Sequence, residues 1–442
     1  YSSGQYNTAV GYRALEEFTT AGYSAILGQE AGEKITEGGS NALLGYRAGR
    51  NLTTGAGNIA IGFEAQRDEN VTNTVAIGAR AGLYNSGGEN VFVGNQAGRN
   101  SGAGTNQVII GHDAGYYAHN NNVVIIGESA GYYATGSYNV FIGKEAGAGG
   151  QAVAPYTSGE YNVAVGYQAL AGFTTAGKCV AIGYGAGKAH QTAAWAVYIG
   201  YEAGNDVTTG AQNVLIGGDA GAKITTADRN IAIGGAAMQN GTGGENVMIG
   251  DNAGWSATTA SGSVFIGRLA AGSLTTGNDN IAIGRDALNG TAVTGDSNIA
   301  VGVSALDAQV TGNNCIAIGN NAVGNVNTSN IIGIGAYAAH NGFGTGTTAI
   351  GYYAGYYSQT ANNTFVGYES GKGTGAAGYG NSTGLGYQAG YNNNGADKAT
   401  YIGYHAGFNG TFNHNNTYVG YKTGYGASGG GEANSALGTE AL

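Results

Sequence analysis

Along most of this chain apolar residues come in bursts of three, each closed by a glycine, and the bursts return at a near-constant interval. The stretch Asn139 to Gly147, reading Asn-Val-Phe-Ile-Gly-Lys-Glu-Ala-Gly, is representative. Numbering each copy from its central glycine as position 0 gives 26 copies, from Gly11 to Gly438. Spacings are 16 or 17 residues, apart from two of 18, one of 23 before Gly166 and one of 19 before Gly386. Self-similarity at a short fixed period marks a solenoid or array.

Position −1 is Ile, Val or Leu in all 26 copies, and −3 is Val, Ile or Thr in 23. β-branched residues at alternate positions define a short strand. Position +3 is Ala in 24 copies, which places a small side chain at a corner facing a narrow interior. Position +4 is Gly in 16 copies, as a turn with positive φ requires. Position −4 is Asn in 14 copies, and Asn side chains stacked at a bend can bond one another and cap backbone groups. Cys179 and Cys315 occupy the same position in two coils and stand in for the Asn. A larger apolar residue at +7 often precedes a Thr-Thr pair, as at Leu52-Thr53-Thr54, and marks a second strand or an inward bend. The seven Thr-Thr pairs are too scattered for a flat ice-binding array.

One such unit cannot bury its own core, but stacked units can, with parallel strands about 4.8 Å apart. The pattern therefore predicts an all-β fold: a parallel β-solenoid or β-roll of about 26 coils, roughly 125 Å long on that spacing. A helix is excluded by the period of two and by the glycine inside each run. The array reads as one domain over 1–442, with a loop insertion at about 147–161 and a smaller one at about 371–380. The chain opens on Tyr1 and neither end carries a cap, which points to a longer natural chain or to end-to-end stacking.

Position −2 is Ala in 11 copies and aromatic in seven, and is never hydrophilic. If −1 and −3 fill the coil, −2 lies on the opposite face. A strand apolar on both faces is buried on both, so this reading assigns −2 to a second chain. The expected oligomer interface is Phe92, Ile109, Ile125, Phe141, Tyr198, Leu215, Met248, Phe265, Phe365, Tyr401 and Tyr418.

Asn-Val-Ala-Val-Gly at 162–166 and Asn-Ile-Ala-Ile-Gly at 58–62 and 230–234 resemble the head repeat of YadA-like trimeric autotransporter adhesins. Similar repeats occur in bacteriophage tail fibres. The resemblance covers essentially the whole chain. It implies a left-handed, homotrimeric β-roll whose inner strands face the threefold axis. The coil here is somewhat longer than the adhesin repeat, and the adhesin's coiled-coil stalk and anchor barrel have no counterpart in this sequence.

Composition narrows the functions. Charged residues are only 10% and the net charge is −10, which disfavours nucleic acid, whose phosphates need clustered Lys and Arg. No apolar run approaches the roughly 20 residues of a membrane helix. Tyr at +1 forms runs that would stack as ladders: Tyr167, Tyr184 and Tyr201, then Tyr352, Tyr368, Tyr387, Tyr404 and Tyr421. They are candidates for glycan or lateral fibre contacts. Acids recur at +2, mostly in coils that are not adjacent, and read as solvated residues. No convergent acids, metal-spaced His or phosphate loop appears, so the expectation is a non-enzyme without cofactor or metal. The reading is an extracellular structural or adhesive fibre at a cell or virion surface. Its partners are copies of itself, as a homotrimer or an end-to-end polymer, and surface glycans. A phage tail-fibre shaft for host recognition and a glycan-binding repeat protein are the alternatives.

Overall fold

The computed structural model describes residues 4–150, 157–290, 293–308, 311–324, 327–341, 344–374, 379–392, 395–410, 414–427 and 433–441. Parts of both expected insertions, 151–156 and 375–378, lie outside them. The fold is all-β. Twenty-six short strands, nearly all of three residues, cover positions −3 to −1 of each copy, from Thr8–Val10 to Ser435–Leu437. The chain divides into two compact units, Tyr1–Thr226 and Ala227–Leu442, with thirteen strands each. Within each unit consecutive strands pair in parallel and in register, so Val140, Phe141 and Ile142 lie beside Val163, Ala164 and Val165. Each unit is thus a solenoid stack in which equivalent positions form columns.

The backbone turns by left-handed residues at fixed places. The central Gly143 has φ +131°, and a Cβ there would come within 2.6 Å of the Gly166 carbonyl oxygen. Both the angle and the close approach exclude a side chain. Positions −5, +2 and +4 also take positive φ, as at Tyr138, Glu145 and Gly147. The second extended segment is not a continuous strand. It reduces to isolated parallel bridges such as Leu274 with Val293. The +7 side chain does tuck inward, and Leu52, Phe173 and Ile224 are fully buried.

The strand is oriented the other way from the sequence reading. Phe92, Ile109, Ile125, Phe141, Tyr198, Leu215, Met248, Phe265, Phe365, Tyr401 and Tyr418 all point into their own coil and are buried within the single chain. They cannot form the oligomer interface assigned to them. The recurrent Ala at +3 shares that interior, with Ala146 fully buried. Positions −1 and −3 face outward instead. The +4 position explains the geometry. A Cβ on Gly147 would sit 2.5 Å from Cδ1 of Phe141, and one on Gly98 2.3 Å from Cε1 of Phe92. Six of the seven aromatic −2 residues accordingly have glycine at +4, and Phe265 has the next smallest residue, Ala271. In most coils where −2 is Ala, a larger residue at +4 fills the space, as Met238 does for Ala232 and Leu288 for Ala282; both are buried. In the Ala coils with Gly82, Gly187 and Gly355 at +4, an aromatic ring of the next coil (Phe92, Tyr198 and Phe365) takes the space, so the narrow interior conserves volume across neighbouring coils.

Asn at −4 fastens one coil to the next. Asn139 donates from Nδ2 to the carbonyls of Gly136 at 2.8 Å and Gly159 at 2.9 Å, and its Oδ1 accepts the Asn162 backbone N–H at 2.8 Å. Asn162 repeats this toward Ala176 and Cys179. The ladder runs mainly through the backbone rather than from amide to amide. The first Thr of a Thr-Thr pair does similar work: Thr208 Oγ1 donates to the Thr225 carbonyl at 3.1 Å.

Candidate interaction surface

Three kinds of surface column arise from this stacking. The first is the outward strand face. It carries two rows of β-branched residues and is open to solvent: Ile142 is 36% exposed and Ile182 40%. The rows are about 7 Å apart and each coil adds about 4.8 Å, so thirteen coils present on the order of 400 Å² per unit. Monomers rarely expose contiguous apolar patches above a few hundred Å². Each unit's face is about half of what one partner contributes to a standard interface. In the first coils the face has a hollow of about 330 Å³ where −3 is Ala25 and Ala42. Beside it Leu27 and Leu44, at −1, stand out 49% and 45% exposed. The pairing recurs at the other end of the sequence, where Ser435 at −3 accompanies Leu437. These three are the only coils with a small −3, and all three have the longer Leu at −1.

The second kind is aromatic. Tyr167, Tyr184 and Tyr201 stack at 5.2 and 5.1 Å between ring centroids. Tyr352, Tyr368, Tyr387, Tyr404 and Tyr421 do so at 5.1 to 5.4 Å. All eight are exposed or nearly half so. The structure thus forms the expected +1 ladders. Within a ladder, however, each ring face rests on its neighbour, so the surface offered is chiefly edges and phenol hydroxyls. Sugar rings dock on open aromatic faces, which a stacked column lacks except at its ends.

A further pair of columns, at +5 and +6, was not anticipated from the sequence. Tyr116 stacks on Tyr132 at 5.0 Å, and Tyr117 on Tyr133 at 5.7 Å. Burial among these rings pushes the Tyr132 phenol up to about 12, so it is a neutral donor at physiological pH. The columns stop there, because the next coils carry Ala148, Gly149, Ala171 and Gly172 at +5 and +6. The gap is a trough made of two adjoining hollows of about 420 and 500 Å³, which share Gly149 and Ala171. Ser129, Tyr132, Tyr133 and Glu145 form one end, and Lys188, Asn205 and Asp206 the other.

The third kind is charged. The +2 acids are not simply solvated. Position +2 reads Arg13, Glu30, Arg47, Glu64, Arg80 in the first five coils, and the alternation sets ion pairs between neighbouring coils. Arg47 Nε lies 2.7 Å from Glu30 Oε2, Arg80 Nε 3.1 Å from Glu64 Oε2, and Arg67 also bonds Glu64. The Arg47 guanidinium, hydrogen-bonded to Glu30, holds that carboxyl below its ordinary range. In unit 2 Lys372 Nζ caps Glu369 at 2.6 Å. The recurring arginines were the missed signal.

One titratable cluster lies inside a coil. His190, at +7, accepts a hydrogen bond from Tyr198 Oη at Nδ1 (3.1 Å) and donates from Nε2 to the Ala193 carbonyl (2.9 Å), with Cys179 Sγ 3.5 Å away. A carbonyl cannot donate, so the proton sits on Nε2. Burial lowers the His190 pKa and raises that of Cys179. All three residues are fully buried, so the cluster packs and pairs rather than meeting a substrate. Among the described residues no group of three or more His, Cys, Asp or Glu could hold a metal ion, and no helix is long and apolar enough to cross a membrane. No protein-family model matches the chain, and no curated protein does either.

Proposed function

We propose that this chain is a segment of an extracellular, non-enzymatic structural or adhesive fibre, assembled from copies of itself through the outward strand face. The observation that supports the reading is the largely apolar outward face along each solenoid unit, whose −1 and −3 columns nothing among the described residues covers. The pairing of Leu at −1 with a small −3 residue favours a parallel arrangement. Copies related by an axis along the stack set the −1 column of one against the −3 column of the next, layer by layer. Leu27 then fills the hollow over Ala25 in its neighbour. An antiparallel pair would instead set like columns together. The likeness to YadA-type repeats makes the homotrimer the first assembly to test. A surface repeated in every coil adds many weak contacts, and their avidity suits adhesion.

The test mixes two variants with one added cysteine each, Ala25→Cys and Leu27→Cys, after reassembly under oxidising conditions. The native Cys179 and Cys315 are buried and free and do not compete. A mixed disulfide in the reassembled sample, absent when either variant is alone, supports parallel packing in register. No cross-link in an oligomeric sample rejects that arrangement, and a monomeric wild type rejects the assembly itself.

A further inference from the structure

We propose that the trough beyond Tyr132 and Tyr133 binds a neutral saccharide. Its position on the side wall of unit 1, away from the outward strand face, makes it independent of self-assembly. Inside the +5 and +6 columns each tyrosine is stacked on the one before it. Tyr132 and Tyr133 end their columns, since the next layer offers only Ala148 and Gly149 at those positions. Their outer faces therefore border the hollow, which is the one thing the long +1 ladders withhold along their length.

The remaining walls match that platform. A pyranose has an apolar C–H face, which an aromatic ring takes by dispersion and by its negative quadrupole. Around its rim are hydroxyls that both donate and accept. Glu145 and Asp206 supply acceptors; Lys188 and Asn205 supply donors. Glu145 is already oriented, with its Oε2 accepting from Gln168 Nε2 at 2.6 Å. Asp206 is held in the same way by Asn205 Nδ2 at 2.7 Å. Two carboxylates against one ammonium disfavour an anionic ligand such as a phosphate or an acidic sugar. Among the described residues the floor of Ala and Gly leaves a channel spanning four coil steps, about 19 Å, room for more than one sugar ring. Few large side chains need ordering on binding, because the rings are fixed by their own stack.

The test uses the whole chain with neutral malto-, cello- and galacto-oligosaccharides, followed by saturation-transfer NMR and titration calorimetry. Wild type is expected to bind at least one series, with strongest transfer to the ring C–H protons. Ala148→Tyr lengthens the Tyr116–Tyr132 stack by one ring and covers the platform without removing any group. Ala171→Phe fills the floor shared by the two hollows. Each is expected to weaken binding at least tenfold while the circular dichroism spectrum and thermal midpoint stay as in wild type. Tyr184→Ala, in a different ladder, leaves binding unchanged. No binding by wild type to any of the three series overturns the proposal. So does undiminished binding by both filled variants, or a loss that follows Tyr184 instead.

Discussion

Replacing Ile142, Val165 and Ile182 with Lys, Glu and Lys would separate the outward face from the interior. The three residues occupy −1 in consecutive coils and point to solvent. Each coil contributes about 30 Å² to the face, worth roughly 0.8 kcal/mol at about 25 cal/mol per Å². Thirteen coils therefore supply about 10 kcal/mol of gross association energy per unit, against an association cost of about 4–15 kcal/mol. Burying one charge costs several kcal/mol, so three adjacent ones offset the favourable contribution of a whole unit. Alternating the signs keeps the new side chains from repelling one another within the chain, as Arg13, Glu30 and Arg47 do naturally. The expected result is a folded monomer, with unchanged far-ultraviolet circular dichroism and a sedimentation coefficient that no longer depends on concentration. Phe141→Lys, one residue away, should instead melt its own coil, because that side chain has no route to water. A wild type that sediments as a monomer at every concentration refutes the reasoning, as does a triple variant that assembles like wild type.

Other consequences are local to single coils. Phe141→Ala leaves a cavity under Gly147 and is expected to cost about 3–5 kcal/mol, read as faster amide exchange in the strands Val140–Ile142 and Val163–Val165. Asn162→Leu orphans the Ala176 carbonyl and the Cys179 N–H, about 1–3 kcal/mol each, measurable by urea titration. His190 gives a pH signature. Its folded pKa lies below the ordinary 6.5, so the unfolded chain binds the proton more readily. Stability from this residue is complete above the unfolded value and falls as pH drops below about 6.5, toward the folded pKa. His190→Phe should be less stable at neutral pH, having lost the Tyr198 hydrogen bond, but its thermal midpoint should decline less between pH 7 and 5. Gly143→Ala should disrupt its coil by more than the ~1 kcal/mol of an ordinary glycine replacement, since both φ and the Gly166 carbonyl oppose a Cβ; the thermal midpoint reports it.

The strands, corners and stacking could be read from the sequence because they depend on periodicity, which survives every substitution in the copies. Which way the strand faces could not be read from alternation. Val140, Phe141 and Ile142 are all apolar, and a period of two is symmetric between the faces. The information was present elsewhere, in the exchange of volume between −2 and +4: Phe92 with Gly98, Ala232 with Met238. That rule compares positions six apart across a corner, and its meaning appears only once the corner is known to fold back over the strand. The +1 ladders were legible for the same reason as the strands. The trough was not, since it is a gap in a pattern, where Ala148 and Gly149 follow two tyrosine pairs. Recognising a gap requires knowing that +5 and +6 form columns. The ion pairs between coils escaped because acids were counted at +2 without the arginines that alternate with them.

The asparagine column has a direction. In every coil described above the amide reaches forward, taking the N–H and a carbonyl of the coil that follows. A finished coil therefore presents a preset grip to the segment that has not yet folded, while side chains at other positions, such as Asn70 and Asn121, accept N–H groups of the coil before them. The first coil to form is a template, and each later one is laid down on a surface already waiting for it. A chain emerging amino end first, from a ribosome or through a secretion pore, can wind up in the order in which it appears. Folding of each stack is then vectorial, advancing by one small loop closure per step, so that length adds little to the difficulty of the next coil.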